Sequence, residues 1–544
     1  MATTQSLDSD DARLAELGYK QEFKRHFTLW ETFGLAFSMV TAVPGIASVF
    51  FISLSNGGPV SMIWGWLIAG FFIALVCIAV SELVSAAPTA GGLYYWTHRY
   101  ASPRCRNLLS WIVGYSNTIY LMAGVGSVSW SIALQIAACV TIESNFTWAP
   151  TTAQLFGIST AVLVAQALVA CFATRIMARL QNFVIAVNFA LILVVIISLP
   201  AATPKEFKND ARYALGKFDN INGWPNGFAF CLSFLTPLWV IASFDVTAHI
   251  SEEASNANFA VPWANMMATS IAVITGVAVN VAVAFCMGDD LLSILSDPTG
   301  QPFATVLHNS LGPRPTIAMF TFIALAFFLS EANLTLAASR QTFAFARDGA
   351  LPFSFWIYRM NKFSATPINA VWVVTSVAFI FTFLVFAGPT AITTIFSLPH
   401  CGAIPLLYHS HLLPIRFQKR FHTWTVLYRS SGELDSSLLT QCPYVSPQSA
   451  PISILSLVWM VFMMIVFMFP ATPIVSPVSM NYTSACLGGW VLLSLVGYYF
   501  PFKELGGVYW FKGPIPNIDT EKEFTSSAAR MEQSDDSNIL EKEA

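Results

Sequence analysis

Long apolar stretches alternate with short polar ones along this chain. A helical bilayer crossing needs roughly 20 consecutive, mostly apolar residues. In the first half, 29–54, 59–86, 107–140, 153–173, 180–200 and 227–249 fit that requirement. In the second half, 261–287, 315–338, 366–388, 391–414, 451–470 and 484–502 do so, the tenth being the weakest. Residues 1–28 are polar and lack the apolar core and small-residue cleavage site of a secretory signal. The predicted organisation is an N-terminal tail (1–28), an all-α transmembrane domain of about twelve helices (29–502) and an acidic C-terminal tail (503–544). From residue 515 the tail is rich in Ser and Glu and is expected to be disordered.

Composition agrees with the pattern. Only 10% of the 544 residues are charged, against roughly 25% in a soluble protein. Hydrophobic residues make up 55% and mean hydropathy is +0.61. A string of soluble domains is thereby excluded, and a net charge of −3 argues against a nucleic-acid partner. The nine cysteines show no CxxC spacing and lie mostly in apolar runs, as buried bystanders do.

Charge sets the orientation. With the N-terminus inside and strict alternation, 22 of the 27 Lys and Arg fall on the inner side. Only Lys205, Lys208, Arg212, Lys217 and Arg314 lie outside. That asymmetry is the positive-inside rule and places both termini in the cytoplasm. The sequons at Asn145 and Asn481 then fall in outer loops as glycosylation candidates, whereas Asn333-Leu334-Thr335 lies within a span.

Two spans carry helix breakers near their middles. Span 1 contains Pro44-Gly45-Ile46-Ala47-Ser48, with Pro44 about 22 Å from the start at 1.5 Å per residue. Span 6 carries Pro237 and then Ala242-Ser243-Phe244-Asp245. Each opens a group of five spans, and paired interruptions of this kind point to a transporter binding site. Freed amides can hold a carboxylate, and freed carbonyls an ammonium or ion. Simple kinking is the alternative.

Three motifs make the chain recognisable. Ser81-Glu82-Leu83-Val84-Ser85-Ala86-Ala87-Pro88-Thr89-Ala90-Gly91-Gly92-Leu93-Tyr94-Tyr95-Trp96 resembles a segment after helix 2 of fungal amino-acid permeases. His249-Ile250-Ser251-Glu252-Glu253-Ala254-Ser255-Asn256-Ala257 resembles their segment after helix 6. The stretch from Ala338-Ser339-Arg340-Gln341 to Arg347-Asp348-Gly349-Ala350-Leu351-Pro352 resembles their segment after helix 8. The chain is similar to the amino acid/choline transporter group of the amino acid–polyamine–organocation superfamily, which includes fungal GABA permeases. The resemblance implies a LeuT-like fold of two inverted five-helix repeats plus two extra helices. It also implies uptake of an amino acid or related amine, such as GABA or choline, generally driven by protons, with no cofactor. The plasma membrane is preferred over the vacuole. By the same resemblance, Pro44 to Ser48 and Ala242, Ser243 and Phe244 match the unwound substrate-binding segments, with Phe244 as an aromatic lid.

Ionisable groups within spans each need a reason, since a mid-bilayer charge costs at least a few kcal/mol. Asp245 follows the second break and is read as a helix cap or as a proton or ammonium site. Glu82 is read as a gate or packing residue. Glu331, mid-span beside Asn333, is read as a cavity or proton-carrying residue, or as a local partner of Asn333 or Ser330. No sodium site is marked, so proton coupling rests on the resemblance. Glu252 and Glu253, with Arg99, Arg340 and Arg347, lie on the inner side as gate pairs or static struts.

From Leu398 to Ala450 the family pattern fails, and four of the eight histidines fall there. A gene-model artefact explains this better than a metal site. A transporter-like nutrient sensor is the main alternative function, but sensors usually carry long extensions. A polytopic enzyme is disfavoured, because neither HExxH nor a convincing Ser-His-Asp set occurs. A channel fits less well than alternating access around two broken helices.

Overall fold

The computed structural model describes residues 10–172, 174–361, 364–388, 449–474, 480–502 and 506–518. Among these, nine helices are long and apolar enough to cross a membrane. They are Leu29–Ser55, Gly58–Ala86, Arg106–Glu143, Thr152–Phe172, Ile176–Ala202, Asn226–Glu253, Ala257–Cys286, Pro313–Arg347 and Ile368–Ala387, numbered spans 1 to 9 below. Two shorter apolar helices, Pro451–Val466 and Thr483–Tyr499, occupy the predicted positions 451–470 and 484–502. The predicted span at 391–414 and nearly all of the atypical stretch 398–450 lie outside the described residues, as does the tail beyond 518. One antiparallel strand pair, Asn56–Gly57 with Asp219–Asn220, ties two loops together. The protein is a multi-pass, helical integral membrane protein.

Burial separates central spans from peripheral ones. The apolar window of span 1 is 89% buried and that of span 3 is 78% buried, against 33% for span 5 and 39% for span 9. Spans 5 and 9 thus turn apolar side chains outward, Ile197 and Ile380 among them, as lipid contact requires. Helices in lipid gain little from hydrophobicity and associate through close packing. Span 7 meets span 2 in that way: a Cβ on Gly276 would sit 2.1 Å from Trp66.

Span 8 corrects the sequence reading. Its expected end was residue 338, but the helix runs for 35 residues to Arg347. At 1.5 Å per residue that is about 52 Å, well beyond the roughly 30 Å hydrocarbon core. The polar motif Ala338 to Arg347 is therefore the projecting end of the helix and not a following loop. Hydropathy falls at Arg340 because protein, not lipid, buries this end.

Residues 10–27, read from sequence as part of a tail, pack against this same face. His26 and Phe27 donate backbone N–H groups to the Glu253 carbonyl, and Ser255 N returns a bond to Phe27 O. We call this side the N-terminal face.

Candidate functional site

Span 1 consists of two half-helices, Leu29–Met39 and Ala42–Ser55. The helix is interrupted at Val40 (φ −110°, ψ 34°) and Thr41 (φ −62°, ψ 112°). The sequence placed the unwound segment at Pro44 to Ser48; those residues are helical and lie between this break and a kink at Val49 (φ −121°, ψ 16°). Proline explains the offset. Its ring clashes with the carbonyl four residues back and it offers that carbonyl no N–H. Four residues before Pro44 is Val40. Pro44 itself sits in the first turn of the second half-helix, where a missing N–H costs little.

Span 6 breaks where its sequence suggested. Helices Asn226–Ser233 and Leu235–Ile241 give way to a 3-10 helix, Ala242–Glu253, with Ser243 at φ −83°, ψ 19°. The side chains of Ala242 and Phe244 lie outside the described residues, and the lid assignment with them. The two interrupted helices touch: a Cβ on Gly45 would lie 2.7 Å from Val240. Glycine at 45 is what permits that approach. Nearer the other end of the pair, Ser53 Oγ donates to Thr236 Oγ1 at 2.7 Å. Gln135, which the sequence reading missed, reaches the same place from span 3. Its Nε2 lies 3.0 Å from Ser48 Oγ and 3.4 Å from the Pro44 carbonyl. A lone glutamine in an apolar span was the available signal.

The intramembrane carboxylates are buried beside this region. Tyr120 donates to Asp245 Oδ1 at 3.2 Å. Glu331 is fully buried. It accepts a hydrogen bond from Ser129 Oγ and another, at 3.5 Å, from Gln166 Nε2. Among the described residues neither Asp245 nor Glu331 has an ion-pair partner. Asn333 does not bond Glu331; it donates to Ser38 Oγ at 2.7 Å and pairs with Gln181. The expected local partnership is thus replaced by contacts to spans 3 and 4 for Glu331 and to spans 1 and 5 for Asn333. Glu82 is buried on span 2.

The N-terminal face is closed by the three motifs together. Arg340 pairs with Glu253 at 2.6 Å and Arg347 with Glu252 at 3.3 Å, all four side chains buried. The Pro88-Thr89-Ala90-Gly91-Gly92 turn docks on the second pair, since Ala90 N donates to Glu252 Oε1 at 3.0 Å. His249, a second residue the sequence reading passed over, holds the turn. Its Nδ1 lies 2.8 Å from the Ala90 carbonyl, so Nδ1 carries the hydrogen, and Nε2 accepts from Asn117 at 3.1 Å. Arg99, a suggested gate partner, bonds Tyr95 instead. Asp348 accepts from Tyr94 at 2.7 Å, from Tyr19 and from Ile515 N. Burial pushes its carboxyl up to about 6, against the opposing pull of the Arg347 guanidinium. Burial, followed by the charge on Asp348, pushes the Tyr94 hydroxyl well up, so it stays a donor. The Tyr19 ring covers Arg347, whose guanidinium carbon lies 3.9 Å from the ring centre.

The two sequons differ. Asn145 is exposed in a turn at φ 51°. Asn481 Nδ2 is already committed to the carbonyls of Phe467 and Phe469, at 2.8 and 2.9 Å. A glycan on that nitrogen would displace at least one of these bonds.

A family profile described as "Amino acid permease" matches residues 27–492. The GABA-specific permease of Saccharomyces cerevisiae is 34% identical over 522 residues, covering 94% of this chain and 87% of that protein. An uncharacterized amino-acid permease of Schizosaccharomyces pombe is 34% identical over 511 residues, covering 94% and 90%. Amino-acid permease 2 of Neurospora crassa is 30% identical over 515 residues, covering 94% and 90%.

Proposed function

The chain belongs to the amino acid permease family, and from that premise we propose that it is a secondary active transporter importing amino acids or related amines. GABA is a candidate cargo, since one relative is named for it; choline is another. Transport proceeds by proton symport with alternating access, in a LeuT-like arrangement of twelve helices. The observation that carries the reading is the contact of the two interrupted helices at Gly45 and Val240. It sets the two interrupted helices side by side close to their breaks. Amides of Ala42 and Val43 suit a carboxylate, and the carbonyls ending the first half-helix suit an ammonium. The segments Pro44 to Ser48 and Ala242 to Phe244 line this site, with Phe244 as its lid.

Glu331 is the proton carrier in this reading. A buried carboxyl with hydroxyl and amide partners but no ion-pair partner among the described residues is suited to gain and lose a proton. Asp245 supports the second break through Tyr120. The N-terminal face is cytoplasmic, as the Lys and Arg distribution suggests, and the plasma membrane is the site of action. The Glu252–Arg347 and Glu253–Arg340 pairs form an inner gate that opens to release cargo.

The test is radiolabelled uptake of GABA, a panel of neutral amino acids and choline in permease-deficient yeast. It is run at acid and neutral pH, with and without a protonophore. Protonophore-sensitive uptake is expected. No uptake, with the protein present at the cell surface, would overturn the reading and favour a sensor.

A further inference from the structure

Gln135 is wholly buried, yet only half of its amide is used. Its Nε2 lies 3.0 Å from Ser48 Oγ and 3.4 Å from the Pro44 carbonyl. Ser48 directs its own hydroxyl hydrogen to that same carbonyl, at 2.9 Å. The Ser48 oxygen can then only accept from Gln135, and a carbonyl can only accept. Both contacts demand a donor, which orients the amide with Nε2 on span 1 and Oε1 turned away. That Oε1 is buried and has no hydrogen-bond partner among the described residues. A buried acceptor left without a donor costs about 1–3 kcal/mol, and such groups call for an explanation.

Its position supplies one. The Pro44 carbonyl is one residue from Gly45, where span 1 meets Val240 of span 6 close to both breaks. Val240 precedes the change to 3-10 geometry at Ala242 by two residues. A third helix therefore brings a spare acceptor to the edge of the interrupted region. What the oxygen lacks is a donor. The carboxylate of an amino acid has none at neutral pH, whereas its ammonium has three.

We infer that Gln135 Oε1 accepts a hydrogen bond from the ammonium group of the transported substrate. The inference rests on the amino-acid transport reading above and adds a specificity-determining residue to it. Ser48 and Pro44 hold the amide from the other side, so the acceptor is oriented before the substrate arrives. It is also already removed from water, so binding an ammonium there adds a bond without first stripping a hydrated oxygen. The consequence is selectivity: an acid of the same length without the amine loses this bond.

The experiment uses the full chain in permease-deficient yeast at pH 7. Uptake of labelled GABA is inhibited with unlabelled GABA or with butyrate, the same acid without its amine. Alanine and propionate replace them if alanine is the better cargo. A wild-type chain at the surface that carries no amino acid refutes the transport reading itself. Given wild-type uptake, Q135L should weaken inhibition by the amine-bearing ligand about tenfold, the equivalent of about 1.4 kcal/mol. Inhibition by the des-amino acid should stay within about twofold, because the lost bond involves only the amine. Equal weakening of both ligands, or of neither, overturns the inference and leaves Gln135 as a brace for the helix break. If Q135L does not reach the surface, Q135E decides. A carboxylate there should favour the amine-bearing ligand over its des-amino counterpart more strongly than wild type does, and unchanged selectivity overturns the inference.

Discussion

Arg340 Nε and Glu253 Oε1 meet at 2.6 Å with their side chains 1% and 2% exposed, joining the projecting end of span 8 to the end of span 6. Removing one partner of such a pair strands a buried charge and costs about 3–5 kcal/mol. E253Q and R340A should therefore each lower the melting temperature of the purified protein markedly. An R340M/E253L double variant should recover much of that loss, because apolar replacement of both partners is often neutral. Melting curves of the three variants check this; a double variant as unstable as the singles would show that packing, not charge pairing, holds the contact.

Gly92 has φ 52°, and a Cβ there would lie 2.9 Å from the His249 ring. G92A thus meets both backbone strain, of order 1–3 kcal/mol, and a clash with the residue that grips Ala90. We expect lower surface abundance and a lower melting temperature. G91A, whose nearest contact would be the Tyr94 hydroxyl at 3.0 Å with no positive φ, should be milder. Equal effects would remove the assigned role of backbone conformation.

Asp348 makes docking on the N-terminal face pH-dependent. Burial raises its carboxyl from 3.8 to about 6. The segments 10–27 and 506–518 donate to Asp348 through Tyr19 and Ile515 N, which lowers its carboxyl, but the burial they share in is the larger effect, so between those values the docked form should hold more protons than an undocked one. Lowering the pH through that window therefore stabilises docking, and raising it above about 6 withdraws that contribution. The limit is about 1.4 kcal/mol per pH unit. The groups around Asp348 are Arg347, Tyr19, Tyr94 and the Ile515 amide, with Glu252 reached through Arg347. Hydrogen exchange of 10–27 and 506–518, corrected for intrinsic rates, should show more protection at pH 5 than at pH 7. D348N should flatten the difference.

Glu331→Gln should leave folding nearly intact, since an amide can still accept from Ser129. Uptake by this variant should lose most of its dependence on external pH. A pH profile matching wild type would return Glu331 to a structural role among spans 3, 4 and 8.

Much of this architecture is legible in the residues. Span positions follow from apolar runs, because the cost of exposing backbone and polar groups to lipid is a local property. The region of each break follows from proline. Even so, the first break lies at Val40 and Thr41, because the ring acts on the carbonyl four residues behind it. The end of span 8 was missed because hydropathy reports lipid contact, and protein covers that end. The partners of Asn481 were equally opaque, since its amide is engaged by carbonyls 12 and 14 residues away.

The sequence by itself therefore determined a multi-pass helical membrane protein with helix breakers in its first and sixth spans and three polar motifs on one side. Only the tertiary structure decided which buried polar groups meet. Asn333 finds Ser38 across 295 residues, Glu331 finds Ser129 across 202, and Gln135 finds Pro44 across 91. Neighbours in the chain, such as Glu331 and Asn333, take different partners because helical rotation turns them toward different spans. Those pairings depend on how the helices cross, and no periodicity or local propensity encodes that.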